Sequence, residues 1–405
     1  MRIGIYYHAD IDRRTGGGVV FQETLIDEIR RFETRHELVL FSPAVPTEPP
    51  AGMRFIQLDE RRPDRWRKAL TGLKRVITNT FLPDEDFAKP SPLERAAREH
   101  QIDLLWFVAL ETERVVTIPY MATVWDLSHR PHPYFPEVSF SGWPWGARER
   151  HFRDLLPRAA RIITGTEVGK EEIVRYYQVP EQLVHVVPFP TPQFALDSPV
   201  AAKQLPEMAQ VPDNYLFYPA QFWPHKNHAG LLLTLKILRD TYGLDFNLVF
   251  TGSDKGNLDY IKEMTAELGL ADKIHFFGFV DTEFLRELYR QAFALVYPTF
   301  FGPDNLPPLE AFALGCPVIA SNLPGAEEQL GNAALLFDPK DAEQMARRIK
   351  ELHAAPAMRQ ELIRLGHERA LRWTAADYVA QVFRIIDDFE PFRRCWSSSE
   401  PYRSK

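Results

Sequence analysis

Short apolar runs alternate with helical patterns along almost the whole chain, and this alternation constrains the fold more than any other feature. The runs are rich in β-branched and aromatic residues and are apolar on both faces. Runs of this kind, separated by helices, indicate parallel sheets that are covered on both sides. The predicted strands are 2–7, 37–42, 103–109, 121–126, 161–166, 184–189, 215–220, 245–252, 273–279, 292–299, 317–322 and 333–338.

One segment interrupts the alternation. Residues 190–214 are rich in proline and polar residues, which is typical of a linker. The chain has 405 residues, more than one hydrophobic core usually supports. We therefore predict two doubly wound α/β domains, an N-terminal one over residues 1–195 and a C-terminal one over residues 205–373, followed by a helical end. A ligand is expected at the carboxyl ends of the strands, between the two halves.

Charge and cysteine content narrow the function classes. The chain has 48 basic and 55 acidic residues and a net charge of −7, whereas a general nucleic-acid binder is normally basic, so no nucleic-acid partner is expected. Its two cysteines, Cys316 and Cys395, are too few for a disulfide framework. The N-terminal apolar run is too short for a signal peptide, and no apolar stretch reaches the ~18 residues that span a bilayer. The expected location is the cytoplasm.

The segment 300–315, "FFGPDNLPPLEAFALG", follows a predicted strand and should contain a helix start. Pro307 and Pro308 suit that start because proline lacks the backbone donor that a first turn leaves unused, and Gly315 suits the helix end. Glu310 is then expected within about a turn of the helix N-terminus. One interpretation is a carboxylate that stabilises the helix dipole. The other is a ligand-binding group, because a carboxylate accepts two hydrogen bonds from a vicinal diol.

A second polar loop, "QFWPHKNH", follows the predicted strand 215–220. Asn227 is expected to cap the next helix, and Lys226 precedes it. A lysine beside a helix N-terminus suits a phosphate. The glycines at 16–18, taken alone, indicate only a flexible turn. A carboxylate and a lysine at the open edge of one α/β domain describe a nucleotide-sugar pocket.

Three segments, in this order and spacing, resemble a known family: "YPAQFWPHKNH" (218–228), "FGPDNLPPLEAFALGCPVIASNLPG" (301–325) and "GNAALLFDP" (331–339). They are similar to retaining glycosyltransferases of family 4, which have the GT-B fold of two Rossmann-like domains facing a central cleft. The resemblance is strong over about 215–340 and weaker over the N-terminal half. It implies an N-terminal domain that binds the acceptor, a C-terminal domain that binds the nucleotide-sugar donor, and an end, 374–405, that crosses back onto the first domain.

The resemblance also implies roles for individual residues. Glu310 would bind the donor ribose, Lys226 the leaving diphosphate, and the segment 275–280 would border the base. The donor-binding residues that it implies are Gly17, Gly18, His225, Lys226, Asn227, Phe279, Asp304, Asn305, Leu306 and Glu310. The catalytic residues that it implies are Asp126, His129 and Lys226.

Two positions in the C-terminal half depart from the family pattern. The family usually has a second glutamate eight residues before the ribose-binding one, where this chain has Gly302, and Asp304 is the nearest carboxylate. The family often has an arginine six residues before the lysine, where this chain has Ala220. His225 or another residue is expected to assist in its place.

A third departure lies in the N-terminal half. "TVWDLSHRPHPYFPE" (123–137) resembles a loop that usually begins His-Asp-Leu, but Trp125 occupies the histidine position. Asp126 and His129 remain as active-site candidates, and the alternatives are a strand-end turn residue and a solvated loop histidine. A zinc site built from His129 and His132 is not expected, because no third ligand has suitable spacing.

The leading hypothesis is a retaining glycosyltransferase that uses no metal or other cofactor and moves a hexose from a nucleotide-diphosphate sugar to a glycan or lipid-linked acceptor. The resemblance favours a mannose-type donor with GDP, and UDP is the other candidate nucleotide. Two alternatives stay open. One is a nucleotide-sugar epimerase of the same fold, and the other is a non-catalytic nucleotide-sugar or glycan-binding subunit, suggested by the missing glutamate and histidine.

The segment 61–81 is locally basic in an acidic chain. Its apolar residues Trp66, Leu70, Leu73 and Ile77 share one helical face with arginines and lysines around it, a pattern typical of a helix lying on a membrane surface. The segment therefore predicts peripheral contact with the inner membrane face. The alternative is a surface helix packed on the core.

Overall fold

In the computed structural model of the chain, the described residues are 1–9, 12, 16–46, 53–58, 90–108, 117–197, 205–302 and 304–397. They form two parallel β-sheets, one in each half, connected by helices. The helices are α1 Gly17–Ile29, α2 Pro92–Glu99, α3 Pro136–Ser139, α4 Trp145–Leu155, α5 Glu167–Tyr177, α6 Gln193–Leu196, α7 His228–Asp240, α8 Leu258–Glu267, α9 Thr282–Gln291, α10 Leu306–Ala313, α11 Ala326–Leu330, α12 Ala342–Ala354, α13 Pro356–Leu371 and α14 Ala375–Arg393.

The N-terminal sheet has seven strands in the order β3-β2-β1-β4-β5-β6-β7. They are β1 Arg2–Tyr6, β2 Glu37–Ser42, β3 Arg54–Gln57, β4 Leu104–Phe107, β5 Tyr120–Val124, β6 Arg161–Thr164 and β7 Val184–Val186. Alternate residues along β4 enter different apolar clusters, with Leu104 and Trp106 in one cluster and Leu105 and Phe107 in the other. Burial on both faces explains why the strands are continuous apolar runs.

The C-terminal sheet has six strands in the order β10-β9-β8-β11-β12-β13. They are β8 Tyr215–Pro219, β9 Asn247–Thr251, β10 Ile274–Phe276, β11 Ala294–Tyr297, β12 Val318–Ser321 and β13 Ala334–Phe337. All the strand pairs of this sheet are parallel, and its core residues form one large apolar cluster.

Each strand predicted from the sequence overlaps a strand of the structure, which confirms the α/β prediction of two doubly wound sheets. Sequence analysis missed β3. This strand has only four residues, lies at the edge of the sheet and is half-buried, so Phe55 and Ile56 are its only apolar residues. Two apolar residues are too few to distinguish a strand from a loop.

The last helix, α14, packs on the N-terminal domain, although it follows the C-terminal domain in the chain. A capping box between Thr374 and Asp377 starts the helix. Tyr378 meets Phe21 edge to face at 5.6 Å, and Phe383 stacks on Phe32 at 4.7 Å. The helix therefore joins the two halves through apolar burial as well as through the chain. The domain boundaries at 195, 205 and 373 stay a prediction.

Candidate active site

A cleft of about 1300 Å³ lies between the two domains. Residues that follow the carboxyl ends of β1, β5, β8 and β9 line it, among them Tyr7, Trp125, Ala220 and Gly252. This is the sheet edge at which doubly wound proteins bind their ligands. The cleft therefore has a C-terminal wall and an N-terminal wall, each made by one domain.

Glu310 lies on the C-terminal wall, as the fifth residue of α10. The first turn of this helix holds no acidic residue, so the interpretation of Glu310 as a first-turn carboxylate is wrong. Its Oε2 accepts a 2.6 Å hydrogen bond from the Tyr289 hydroxyl. Burial raises the pKa of Glu310 to about 7, although that hydrogen bond acts to lower it. Oε1 has no hydrogen-bond partner among the described residues and can accept from a ligand.

Lys226 lies on the same wall, in the loop that follows β8. Its Nζ donates a 3.1 Å hydrogen bond to the Tyr297 hydroxyl and lies 5.4 Å from the centroid of that ring. No carboxylate of the described residues forms an ion pair with it. Because its partner is neutral, the full charge of Lys226 is available to an anionic ligand.

His225 links the two domains. Its backbone N–H donates a 2.9 Å hydrogen bond to Oε1 of Glu137 in α3, and its Nδ1 is hydrogen-bonded to the same oxygen. Burial lowers the pKa of His225 to about 4, so the imidazole is neutral near pH 7. Burial acts to raise the pKa of Glu137, but the hydrogen bonds from His225 outweigh it and leave that pKa below its ordinary value. A neutral His225 cannot supply the positive charge missing at Ala220.

Asn227 has a supporting position rather than a place in the cleft. Its Oδ1 accepts a 3.1 Å hydrogen bond from the Gly230 N–H and caps α7, as the sequence predicts. Its Nδ2 donates to the carbonyls of Pro298 and Pro339 at 3.1 and 2.9 Å. The Asn227 amide is buried, and both its oxygen and its nitrogen form hydrogen bonds within the protein. The prediction that Asn227 contacts the donor directly is therefore wrong, and its side chain instead holds the Lys226 loop.

Three predicted donor-binding residues lie just before α10 and at its first position, and all of them line the cleft. Asp304 Oδ2 accepts a 3.1 Å hydrogen bond from the backbone N–H of Phe189, and Oδ1 accepts from the Gln329 amide. Asn305 accepts from the Tyr297 hydroxyl at 3.0 Å. Leu306 packs into the apolar cluster of the N-terminal domain. Asp304 thus bridges the two halves, and its contact with the donor sugar stays a prediction.

Gly17 and Gly18 begin α1 at the N-terminal wall. A Cβ at Gly18 would collide with the indole of Trp125, and one at Gly17 would lie 3.5 Å from Leu306. Glycine is therefore required at Gly18 by the close approach of Trp125. Trp125 itself lines the cleft and meets Phe21 edge to face at 5.7 Å. It forms an apolar floor where the resemblance expects a histidine.

Of the two remaining candidates in this loop, only Asp126 faces the cleft. Its Oδ1 accepts a 2.8 Å hydrogen bond from the Ser128 N–H. His129 is fully buried, stacks on Phe152 at 5.6 Å, and has its Nε2 3.3 Å from the Tyr177 hydroxyl. Burial lowers its pKa. The prediction that His129 is catalytic is therefore wrong, since its side chain belongs to the core of the N-terminal domain.

Phe279 lines the C-terminal wall and is 45% exposed, beside the left-handed Gly278. An exposed aromatic ring at this edge is suited to a nucleotide base, and that contact stays a prediction.

Sequence analysis missed four residues that shape the cleft. Tyr289 and Tyr297 hold Glu310 and Lys226, Glu137 holds the Lys226 loop from the other domain, and Arg148 of α4 lines the N-terminal wall. The position of Tyr297 at the end of β11 was a usable signal, because strand ends meet at the ligand edge. The other three lie on helices, and nothing in the sequence distinguishes them from surface or core residues.

Within the described ranges, one group of three potential metal ligands comes together: His36, Asp387 and Glu390. Arg35 pairs with both carboxylates, at 2.8 Å to Asp387 and 2.6 Å to Glu390. None of the three lines the cleft. The group belongs to an ion-pair network between the segment just before β2 and α14.

Two family models match the chain, and together they cover most of it. The model described as Glycosyltransferase Family 4 matches residues 15–190, and the one described as Glycosyl transferases group 1 matches residues 206–369. The chain belongs to glycosyltransferase family 4. The resemblance stated from the motifs is thereby confirmed.

Curated relatives of this family align over part of their length. An O-antigen chain mannosyltransferase of Salmonella typhimurium is 29% identical over 247 residues, covering 59% of this chain and 64% of the relative. O-antigen chain mannosyltransferase B of Escherichia coli is 28% identical over 204 residues, covering 50% of this chain and 53% of the relative. The chain thus spans about half to two thirds of these relatives.

Solved structures establish the fold. Sucrose-phosphate synthase from Thermosynechococcus elongatus has a TM-score of 0.71 at 18% identity, covering 96% of this chain and 99% of that one. Anabaena HepE, solved in complex with UDP and glucose, has a TM-score of 0.69 at 13% identity, covering 96% and 100%. These likenesses confirm the GT-B expectation.

No helix within the described ranges has the length and hydropathy needed to cross a membrane. The basic segment 61–81, predicted to contact a membrane surface, lies outside the described residues.

Proposed function

We propose that this chain transfers a hexose from a nucleotide-diphosphate sugar to a glycan or lipid-linked acceptor, with retention of the anomeric configuration. The observation that carries the proposal is the pairing of Glu310 and Lys226 on one wall of an interdomain cleft. Each forms a hydrogen bond with a tyrosine hydroxyl and can still bind a ligand, Glu310 through Oε1 and Lys226 through Nζ. Membership of glycosyltransferase family 4 supports the proposal.

The two groups suit the two ends of a donor nucleotide. The free Oε1 of Glu310 accepts hydrogen bonds from the ribose diol, while Tyr289 fixes the other oxygen. Lys226 Nζ meets the diphosphate, whose negative charge grows when the sugar leaves. Phe279 is exposed at the same edge for the base.

The proposed reaction breaks the bond between the anomeric carbon and the β-phosphate oxygen, with electrons leaving on the diphosphate. An oxocarbenium-like transition state forms, and the acceptor hydroxyl attacks on the face from which the diphosphate departs. The hydroxyl proton passes to a diphosphate oxygen. The protein then needs no covalent nucleophile, and Lys226 stabilises the leaving group.

The donor is proposed to be GDP-mannose. The mannosyltransferases among the curated relatives favour mannose, and the UDP-bound structure of Anabaena HepE keeps UDP-hexoses as the second choice. A thermal-shift panel of GDP- and UDP-sugars tests this, because a ligand that binds only the folded state raises Tm at saturation. Stabilisation by GDP-mannose and GDP is expected; no shift with any nucleotide contradicts the proposed function.

A second candidate is a non-catalytic nucleotide-sugar-binding subunit. The burial of His129 and the apolar floor at Trp125 favour it, since both remove polar groups from the N-terminal wall. Slow donor hydrolysis separates the two functions. A catalytic cleft releases free hexose from a bound donor, while a binding subunit leaves the donor intact.

A further inference from the structure

Among the described residues, four lysine and arginine side chains line the cleft, and their partners differ. Arg30 pairs with Asp27 at 3.1 Å, and Arg286 pairs with Glu283 at 3.2 Å. In the described part of the chain, Lys226 contacts a tyrosine hydroxyl and ring, and Arg148 has no carboxylate within ion-pair distance. Of the four cations, Lys226 and Arg148 are therefore the two without a carboxylate partner among these residues.

Trp143 holds the guanidinium of Arg148 in place. Its Nε donates a 2.8 Å hydrogen bond to the Trp143 carbonyl, and its guanidinium carbon lies 4.8 Å from the centroid of the Trp143 ring. These contacts orient the guanidinium plane and leave both terminal amino groups without a hydrogen-bond partner among the described residues. A guanidinium fixed in this way presents two parallel donors, the arrangement that suits a phosphate.

Arg148 and Lys226 line the same cleft, one from each domain. The negative charges of Asp126 and Glu137 act on Arg148, and the same two carboxylates act on His225, the residue before Lys226. The loop before α4 also contacts the Lys226 loop, since a Cβ added at Gly142 would lie 3.4 Å from the Trp223 indole. Both cations thus belong to one electrostatic environment.

An arginine stays charged in a protein, so burial cannot remove the cost of Arg148 by deprotonation. Burial lowers its pKa, while the two carboxylates act in the opposite direction from beyond ion-pair distance. A half-buried charge without a direct partner is destabilising until an anion arrives. Such groups cluster at functional sites.

We propose that Arg148, from the N-terminal domain, contacts the donor diphosphate from across the cleft as the second cation of the site, beside Lys226. This inference rests on the proposed function. Arg148 would provide the positive charge that the C-terminal wall lacks at Ala220. Donor binding then depends on both domains, because the two cations come from opposite walls.

Calorimetric titration of the full chain with GDP, GMP, UDP and UMP tests the proposal. Arg148→Ala should weaken binding of the preferred diphosphate by roughly 10- to 100-fold, the range for a lost charge-assisted contact. Binding of the matching monophosphate should change by less than about threefold. Arg150→Ala, an exposed arginine of the same helix, is the matched control and should bind like wild type.

A rescue variant separates ligand contact from a structural effect. Ala220 also lines the cleft, so Arg148→Ala combined with Ala220→Arg returns a cation from the opposite wall and should regain most of the lost affinity. Arg148→Gln, which keeps an amide donor for the Trp143 carbonyl, serves if Arg148→Ala does not fold. Unchanged diphosphate binding in the folded variant, or equal loss for diphosphate and monophosphate, overturns the proposal. If wild type binds no nucleotide, the proposed function itself fails.

Discussion

The two walls of the cleft are built in different ways. On the C-terminal wall, Glu310 and Lys226 come from the segments that carry the family motifs, and each is hydrogen-bonded to a tyrosine of the same domain. On the N-terminal wall, the cleft-facing groups come from separate elements: Gly18 at the start of α1, Trp125 and Asp126 after β5, and Arg148 on α4. The Glu310 and Lys226 side chains are thus held by tyrosines of their own domain, although Glu137 and Phe189 of the other domain bond to the loops around them. The N-terminal wall depends on packing between distant segments.

This difference separates a wall whose residues match the family motifs from a wall that departs from them at Trp125. The contacts of the C-terminal wall are compatible with donor binding as the motifs imply it. On the N-terminal wall, Trp125 is accommodated by Gly18, and His129 is buried in the core of the domain. Substitutions on each wall therefore measure how donor binding is divided between the two domains.

The largest effect is expected for Lys226→Ala. Its charge meets a diphosphate whose negative charge grows in the transition state, so kcat should fall more than donor affinity. A loss of roughly 10- to 100-fold in kcat follows from a charge-assisted contact of ~1.5–3 kcal/mol. Steady-state kinetics measure it, with Lys236→Ala on the surface of α7 as the control. Unchanged turnover removes Lys226 from the diphosphate site.

Glu310→Gln should weaken binding of donor and free nucleotide alike, by about 10-fold, because both contain the ribose. The effect should depend on pH. Burial raises the pKa of Glu310 to about 7, and the ionised form accepts the diol hydrogen bonds best, so wild-type affinity should fall as pH drops from 8 to 6. The pH dependence should be weaker in the variant, where only other groups such as Asp304, whose pKa burial raises to about 7, still titrate. Glu263→Gln, on an exposed position of α8, is the control, and an equally strong pH dependence in Glu310→Gln contradicts the assignment.

The same carboxyl predicts how stability depends on pH. Its folded pKa of about 7 lies above the ordinary value of 4.5, so the folded protein holds the proton more tightly than the unfolded chain. The stabilisation is therefore complete below about pH 4.5 and is lost as pH rises through about 7. Denaturant unfolding of the nucleotide-free protein should show this fall, and it should be shallower in Glu310→Gln. An equally steep fall in the variant contradicts the buried, ligand-facing carboxyl.

Asp304→Ala should lower kcat/KM by roughly 10-fold, through the loss of the contact with the Phe189 N–H that joins the walls. Gly165→Ala tests the same contact, because its Cβ would occupy the position of the Asp304 carboxylate. If both act through this contact, the double variant should be no worse than the poorer single one. Gly146→Ala, whose Cβ meets nothing closer than 3.7 Å, is the glycine control. Additive losses would show that Asp304 acts elsewhere, for example on the sugar.

The smallest effect is expected for His129→Gln. Its imidazole lies in the core of the N-terminal domain, so Tm should fall while kcat/KM of the folded variant stays within about threefold of wild type. Thermal unfolding and initial rates, measured on the same preparation, separate the two. A large loss of turnover at unchanged Tm restores His129 to the catalytic set.

The sequence predicted the fold well because the signals of a doubly wound sheet are local. Continuous apolar runs mark buried parallel strands, and only the short edge strand β3 lacked that signal. The site was predictable where a group lies in a loop after a strand, as with Lys226 and the Asp304 loop. It was not predictable where tertiary packing decides, since His129 and Asp126 are three residues apart and face the core and the cleft respectively. Arg148 lies on a helix whose cleft-facing side only the folded structure reveals.

The central claim is that the cleft transfers a glycosyl group with retention, and the most direct test is proton NMR of the first sugar released from an α-linked nucleotide-diphosphate donor. The donor that stabilises the protein most is incubated with the enzyme, and spectra of the hydrolysis product are recorded before the free sugar equilibrates between its anomers. We expect the α anomer to form first and Lys226→Ala to slow its appearance. The β anomer forming first, or no release from any donor that the protein binds, would contradict it.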